Sequence, residues 1–291
     1  SMLKRLPDCD IDPALRAILE HSRSATEALE IPFFVGGAMA RDITLTHVFG
    51  QEVTRATRDV DLGLYLDGWD RFQQLKDALV RTGLFHAADG KPHRLHYGSP
   101  KGIPLDLIPF GRIEHPTGEI AWPPGNDVVL NVAGFEDAFR SALVVDLGKE
   151  LVIKTCALPS LAVLKLIAWQ DRRKFSNKDA TDLLLIAQNY AAADNMDRLY
   201  EREPELMEAA DYNPELAGAY LLGKDAALQS GNDTAAIAKA ILENEILQQE
   251  LIDQIVRAKA ASHSREDEQR YTQYLKGFST GFLKQLREPG Q

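Results

Sequence analysis

Hydrophobic and polar positions change their spacing several times along this chain, and the changes divide it. From Pro13 to Leu29 apolar residues recur every three or four positions, the spacing of an amphipathic helix. The apolar run Ile31-Pro32-Phe33-Phe34-Val35 follows and stops at Gly36-Gly37, which predicts a strand, a tight turn and a helix from Ala38 to about Val48. After a polar loop, Gly50 to Thr57, the segment Arg58 to Leu66 alternates with period two. Val60, Leu62, Leu64 and Leu66 fall on one strand face, and Asp59, Asp61, Gly63 and Tyr65 on the other. Helical spacing returns in Trp69, Phe72, Leu75 and Leu79. Further strands are predicted at His93–Tyr97 and Ile103–Phe110, with edge or connecting strands at Asn126–Val132, Ala142–Leu147 and Leu151–Thr155.

Beyond Pro159 the pattern is almost unbroken helix: Pro159 to Arg173, a helix capped by Asn177 and carrying Ala180, Leu183, Leu184, Ile186 and Ala187, then Thr234 to about Ala261 and Arg265 to about Leu286. The shift predicts two domains, residues 1–155 and 156–291. The fold class is α+β, a mixed sheet flanked by helices, followed by an all-α domain. Phe33, Phe34, Trp69 and Phe72 are expected in the core.

Composition narrows the classes of function. Hydrophobic residues at 45% and charged residues at 26% suit a globular protein and exclude wholesale disorder. Acidic residues outnumber basic ones by 43 to 33, a net charge of -10, so a protein that coats itself in nucleic acid is excluded and any such contact is a local patch. Two cysteines without a CxxC spacing suggest neither a zinc site nor a disulfide framework, and a reducing cytoplasm is the expected setting. No apolar run reaches the roughly 20 residues of a membrane span, and the start lacks the order of a signal peptide. A membrane partner is not expected.

The candidate chemistry is a constellation. A Gly-Gly turn ends an apolar strand, Asp59 and Asp61 follow about twenty residues later, and Asp106 interrupts the apolar run Ile103–Phe110. Separately these are a turn, a solvated strand face and an isolated acid. Together they fit phosphate chemistry. Asp59 and Asp61 project from one face about 7 Å apart, near enough for both to ligate hard cations. A carboxylate inside an apolar strand is costly without a metal or donor. Three carboxylates suit two Mg²⁺ ions, which at about 4 Å separation activate an attacking hydroxyl and stabilise a leaving pyrophosphate. Gly36 and Gly37 let backbone N–H groups approach phosphate at a helix start.

In the helical half, Lys165 is either a solvated lysine or a cation facing a nucleotide across an interdomain cleft. Asp179 and Asp182 are either surface partners of Lys178 and Arg172 or the acids that orient those cations. His86, His93, His96 and His115 lack the HExxH spacing, and His93 and His96 on one strand point to opposite faces, so they are read as satisfied surface residues.

These motifs resemble those of the DNA polymerase β-type nucleotidyltransferase superfamily: Phe34-Val35-Gly36-Gly37, Thr57-Arg58-Asp59-Val60-Asp61-Leu62 and Leu105-Asp106-Leu107-Ile108-Pro109. Leu164-Lys165-Leu166-Ile167-Ala168 and Lys178-Asp179-Ala180-Thr181-Asp182-Leu183 extend the resemblance to the abortive-infection, AbiEii-type toxin nucleotidyltransferases, over roughly Phe33 to Asn189. The resemblance implies a nucleotidyltransferase fold and transfer of NMP from an NTP, with Mg²⁺, to a hydroxyl on RNA or protein in a toxin–antitoxin or phage-defence setting. Transfer to a small molecule, as in aminoglycoside adenylyltransferases, and non-catalytic nucleotide binding are its alternatives. It implies that Asp59, Asp61 and Asp106 are catalytic and metal-binding. It implies nucleotide binding by Gly36, Gly37, Arg41, Arg58, Lys165, Arg172, Lys178, Asp179 and Asp182. An antitoxin protein is an implied partner. Arg172, Arg173, Lys174 and Lys178 with Arg55 and Arg58 form a candidate basic rim for an acceptor such as tRNA.

Overall fold

The computed structural model describes residues 1–52, 57–259 and 264–288. Arg55 and the expected end of a helix at Ala261 therefore lie outside the described residues. The chain divides into two units, Ser1–Ala157 and Leu158–Gln291.

The first unit contains, in order, β1 (Leu3–Lys4), α1 (Pro13–Ala28), β2 (Phe33–Gly36), α2 (Gly37–Asp42) continuing as a π-helical turn (Ile43–Val48), β3 (Val60–Tyr65) and α3 (Trp69–Arg81). Then come β4 (Phe85–Ala87), β5 (Arg94–Tyr97), β6 (Ile103–Phe110), β7 (Glu119–Ala121), β8 (Val129–Asn131), α4 (Phe135–Arg140), β9 (Leu143–Asp146) and β10 (Val152–Thr155). The main sheet runs β1-β9-β10-β2-β3-β6-β5-β4, and β7 and β8 form a separate hairpin. It is mixed: β3 pairs parallel with β6, and β2 pairs antiparallel with β3.

Each element follows from local chemistry. Asp12 caps α1 by accepting from the N–H groups of Ala14 and Leu15, Pro13 opens the helix, and Leu15, Ile18 and Leu19 are buried. On β3 the alternation places Val60, Leu62 and Leu64 in the core. The helix expected from Ala38 begins one residue earlier, at Gly37, and its last turn is π-helical. Periodicity did not predict β1, β4, β7 or α4, which span two, three, three and six residues and are too short to show a period.

The second unit is helical: α5 (Leu158–Arg172), α6 (Lys178–Asn189), α7 (Met196–Arg202), α8 (Pro204–Ala209), α9 (Pro214–Gln229), α10 (Asn232–Leu242), α11 (Glu245–Lys259) and α12 (Arg265–Arg287). The single helix expected over Thr234–Ala261 is instead two, because Asn244 accepts from Leu247 N–H at 3.0 Å and starts a new helix. Asn177 stands at the start of α6 without capping it, and the Ser176 hydroxyl accepts from Lys178 N–H instead, at 3.2 Å. At the centre α9 and α12 pack backbone to backbone: a Cβ on Gly223 would overlap the Phe278 carbonyl, and one on Gly281 the Tyr220 carbonyl. Among the described residues no helix is long and apolar enough to cross a membrane.

Candidate active site

Strand register builds the core of the site. Gly36 on β2 lies opposite Asp61 on β3, Asp61 lies opposite Asp106 on β6, and Asp106 lies opposite Arg94 on β5. Paired residues in a sheet share a face, and neighbouring strands lie about 4.8 Å apart. The four residues therefore form one row across four strands, with two acids side by side. Their in-strand neighbours Leu62, Leu105 and Leu107 are buried on the opposite face.

Gly37 closes the row at the strand-to-helix turn. Its φ of +60° is in the left-handed region, and a Cβ there would overlap the Asp61 carboxylate. Both constraints require glycine. Asp61 thus sits against the first turn of α2, with space preserved by the missing side chain.

Asp106 is 9% exposed, and its cost of burial is met by Arg94, whose Nε donates to Oδ1 at 2.7 Å and Nη2 to Oδ2 at 3.0 Å. Hydrogen bonding to Asp106 holds the Arg94 guanidinium above its ordinary pKa; burial opposes this, and the charges of Asp106, Asp59 and Asp61 add to it. All three carboxylates act on one cation. Arg94 is the functional residue that sequence reasoning missed; the one available signal was its position opposite Asp106 in the β5–β6 hairpin.

The three carboxylates expected around metal do not stand equally in the row. Asp59 precedes β3 and is half-buried, and among the described residues no three His, Cys, Asp or Glu side chains converge as a metal site. Both Asp106 oxygens are engaged by Arg94. The donor chemistry nonetheless fits a cation, since a guanidinium already stands in that place.

Arg41, expected among the nucleotide ligands, lies enclosed in this structure. It is 0% exposed and pairs with Asp42 at 2.8 Å, while Asp42 also accepts from the N–H and hydroxyl of Thr57. The pair ties α2 to the segment leading into β3. Arg58 is exposed beside Asp59. The histidines stay outside the acid row: His96 Nδ1 lies 3.0 Å from the Gly102 carbonyl, and His93 precedes β5 and packs against Trp122. Burial lowers the His93 pKa, opposed by the charge of Asp106.

A second cluster forms within the helical unit. Lys165 on α5 is 11% exposed and lies 2.8 Å from Asp182 and 3.8 Å from Asp179 on α6. Arg172, one α5 turn-pair further on, donates twice to Asp179, at 3.0 and 2.8 Å. Lys165 is thus ion-paired and largely enclosed, not solvated, and Asp179 pairs with Arg172 as the surface-partner alternative has it. Lys178 is exposed and outside this cluster.

Comparison with known proteins finds that residues 18–284 match the family described as nucleotidyl transferase AbiEii toxin, type IV toxin–antitoxin system. No curated protein matches the chain significantly. Among solved structures, the antibiotic-resistance factor ANT(2″)-Ia, determined in solution, is 12% identical with a TM-score of 0.39, over 69% of this chain and 99% of that one. An antigenic nucleotidyltransferase-like protein from Paracoccidioides brasiliensis is 15% identical with a TM-score of 0.40, over 67% and 91%. The Thermotoga maritima CCA-adding enzyme complexed with tRNA is 11% identical with a TM-score of 0.25, over 96% and 83%.

Proposed function

The chain belongs to the AbiEii nucleotidyltransferase toxin family, and from that premise we propose that it transfers NMP from an NTP to a hydroxyl on RNA or protein, releasing pyrophosphate. The observation that carries the residue assignment is the cross-strand row: Asp61 and Asp106 adjacent in register, bounded by the Gly36-Gly37 turn, with Asp106 paired to Arg94.

In this reading the acceptor oxygen attacks the α-phosphorus, the bond from that phosphorus to the α,β-bridging oxygen breaks, and pyrophosphate leaves. Asp106 takes the hydroxyl proton, which requires one of its oxygens to exchange Arg94 for the acceptor. Gly36 and Gly37 offer backbone N–H groups to phosphate oxygens. The Lys165, Arg172, Asp179 and Asp182 cluster pairs its charges within the helical unit and is assigned no part in holding the triphosphate. Mg²⁺, held by Asp61 and Asp106 within the field of Asp59, would supply charge neutralisation at the reacting phosphate. An antitoxin protein counters the activity, in keeping with the family's type IV toxin–antitoxin description.

The test is to incubate purified protein and Mg²⁺ with each α-labelled NTP and, separately, total RNA, the protein alone, or an aminoglycoside. Label in RNA or protein with equimolar pyrophosphate is the expected result. Label confined to the aminoglycoside would move the assignment to small-molecule transfer, and no label from any NTP would overturn it.

A further inference from the structure

The turn between α5 and α6 displays the most exposed large apolar side chain among the described residues, Phe175, at 88%. Around it residues 172–178 read Arg-Arg-Lys-Phe-Ser-Asn-Lys, four cations and no acid, in a chain whose net charge is -10. Lys174 and Lys178 are exposed and enter no ion pair among the described residues.

The turn is held in place. The N–H groups of Phe175 and Ser176 both donate to the Arg172 carbonyl, at 2.9 and 3.0 Å. The Arg172 guanidinium, still 59% exposed, joins the end of α5 to Asp179 in the first turn of α6. From α11, Gln254 donates to the Arg173 carbonyl at 2.7 Å while accepting from Trp169 Nε1 at 2.9 Å, and Glu250 pairs with Arg173 at 3.2 Å. A backbone fixed this well displays Phe175 by construction and not through looseness, so a ligand meets it without an ordering cost.

Leaving an aromatic ring in water forgoes about 2 kcal/mol of burial, which a ligand can recover. The ring offers a flat face, and the ammonium groups on either side favour anions. The ligand chemistry that matches both is a string of planar rings on an anionic backbone with the rings free to stack. A duplex hides those faces, and an acidic protein surface matches only the charge.

We propose that the α5–α6 turn binds single-stranded nucleic acid, with an unpaired base stacked on Phe175 and Lys174 and Lys178 on flanking phosphates. Asp179, shared by Arg172 and Lys165, anchors this surface to the ion-pair cluster between α5 and α6. The proposal rests on the nucleotidyl-transfer reading only in giving that reaction an acceptor with unpaired bases; the binding stands apart from it.

The test is fluorescence anisotropy of the full chain with a labelled twelve-nucleotide single-stranded RNA and with the same sequence as a duplex, across a salt series. The single strand should bind at least tenfold tighter than the duplex. Phe175→Ala should weaken it about tenfold or more, as base stacking on an aromatic contributes about 1–3 kcal/mol. Phe175→Trp should retain affinity, with its added fluorescence quenched by the strand. Replacing both Lys174 and Lys178 by Gln should flatten the salt slope by about 1.4, at about 0.7 per single-strand phosphate contact. Binding by Phe175→Ala within twofold of the parent overturns the proposal. So does a duplex bound as tightly as the strand, or Phe175-dependent binding of polyglutamate but not RNA, which would indicate a protein partner. Label transfer that persists alongside an indifferent Phe175→Ala sinks this surface and leaves the transfer reading intact. Phe175-dependent strand binding without transfer from any NTP does the reverse.

Discussion

The chain holds two clusters in which acids meet cations, and they are built differently. On the sheet, Asp59, Asp61 and Asp106 share the field of Arg94. On the helices, Asp179 and Asp182 meet Lys165 and Arg172, two acids to two cations. The helical cluster neutralises itself and stands complete. In the sheet cluster Asp59 and Asp61 are only half-buried, whereas Asp179 and Asp182 are each 2% exposed, so the sheet acids stay within reach of a cationic ligand. Residue types alone do not separate a binding site from a structural one; how far the acids are enclosed within the cluster does.

The strongest way to break this contrast is Asp61→Asn. It should cut transfer by roughly a thousandfold, because a neutral amide is a poor ligand for a hard cation. It should also leave the melting temperature unchanged or raise it, since the repulsion between Asp61 and Asp106, adjacent in register, is relieved. Substantial retained transfer would remove Asp61 from the reaction, and a large loss of stability would make the acid row structural. Lys165→Met tests the opposite expectation. With Asp179 and Asp182 nearly enclosed, removing their shared ammonium should destabilise the fold by about 3 kcal/mol in denaturant titration, and adding Asp182→Asn should restore at least half of that. An unchanged midpoint would show that the helical cluster is not self-neutralising.

Gly37→Ala sharpens the geometry of the acid-rich side. The left-handed φ should cost about 1–2 kcal/mol of stability, and displacement of the Asp61 carboxylate should reduce transfer more than the lost stability accounts for. If melting temperature and activity fall in step, the turn serves the fold alone. The smallest expected effect belongs to Arg94→Gln, which keeps one hydrogen bond to Asp106 and removes the competing charge. Mn²⁺, followed by its paramagnetic signal, should bind about tenfold tighter, near 1.4 kcal/mol. Arg172→Gln should leave Mn²⁺ binding unchanged. Weaker binding in Arg94→Gln would mean that the guanidinium orients Asp106 for the ion and does not compete with it.

The legible parts of this protein were those set by near neighbours in sequence. Period two identified the strand carrying Asp61, and β6 spans Ile103–Phe110 as its apolar run predicts, with Asp106 on its face. What escaped depended on register or on enclosure. Nothing local marks Arg94 as the partner of Asp106 until β5 folds back onto β6. Arg41 has the look of a surface cation at the end of a short helix, yet Asp42 and the approach to β3 enclose it. The break at Asn244 was hidden because apolar spacing continues across it, although an Asn followed by Glu245 is itself a helix-start signal. The solvated reading of Lys165 failed for a similar reason, since α6 had to pack on α5 before its acids could reach the ammonium.

The Arg94–Asp106 pair also bears on the order of folding. The two residues are twelve positions apart in a hairpin, whereas Asp61 lies far earlier in the chain and joins Asp106 through a parallel pairing. Short antiparallel closures form ahead of long parallel ones because less chain entropy is lost in making them. On that ordering Asp106 would acquire its counter-ion before Asp61 arrives. The collapsing chain would then meet the second acid with the first already paired, and the cation that tempers the finished site would first act as a chaperone to its own assembly.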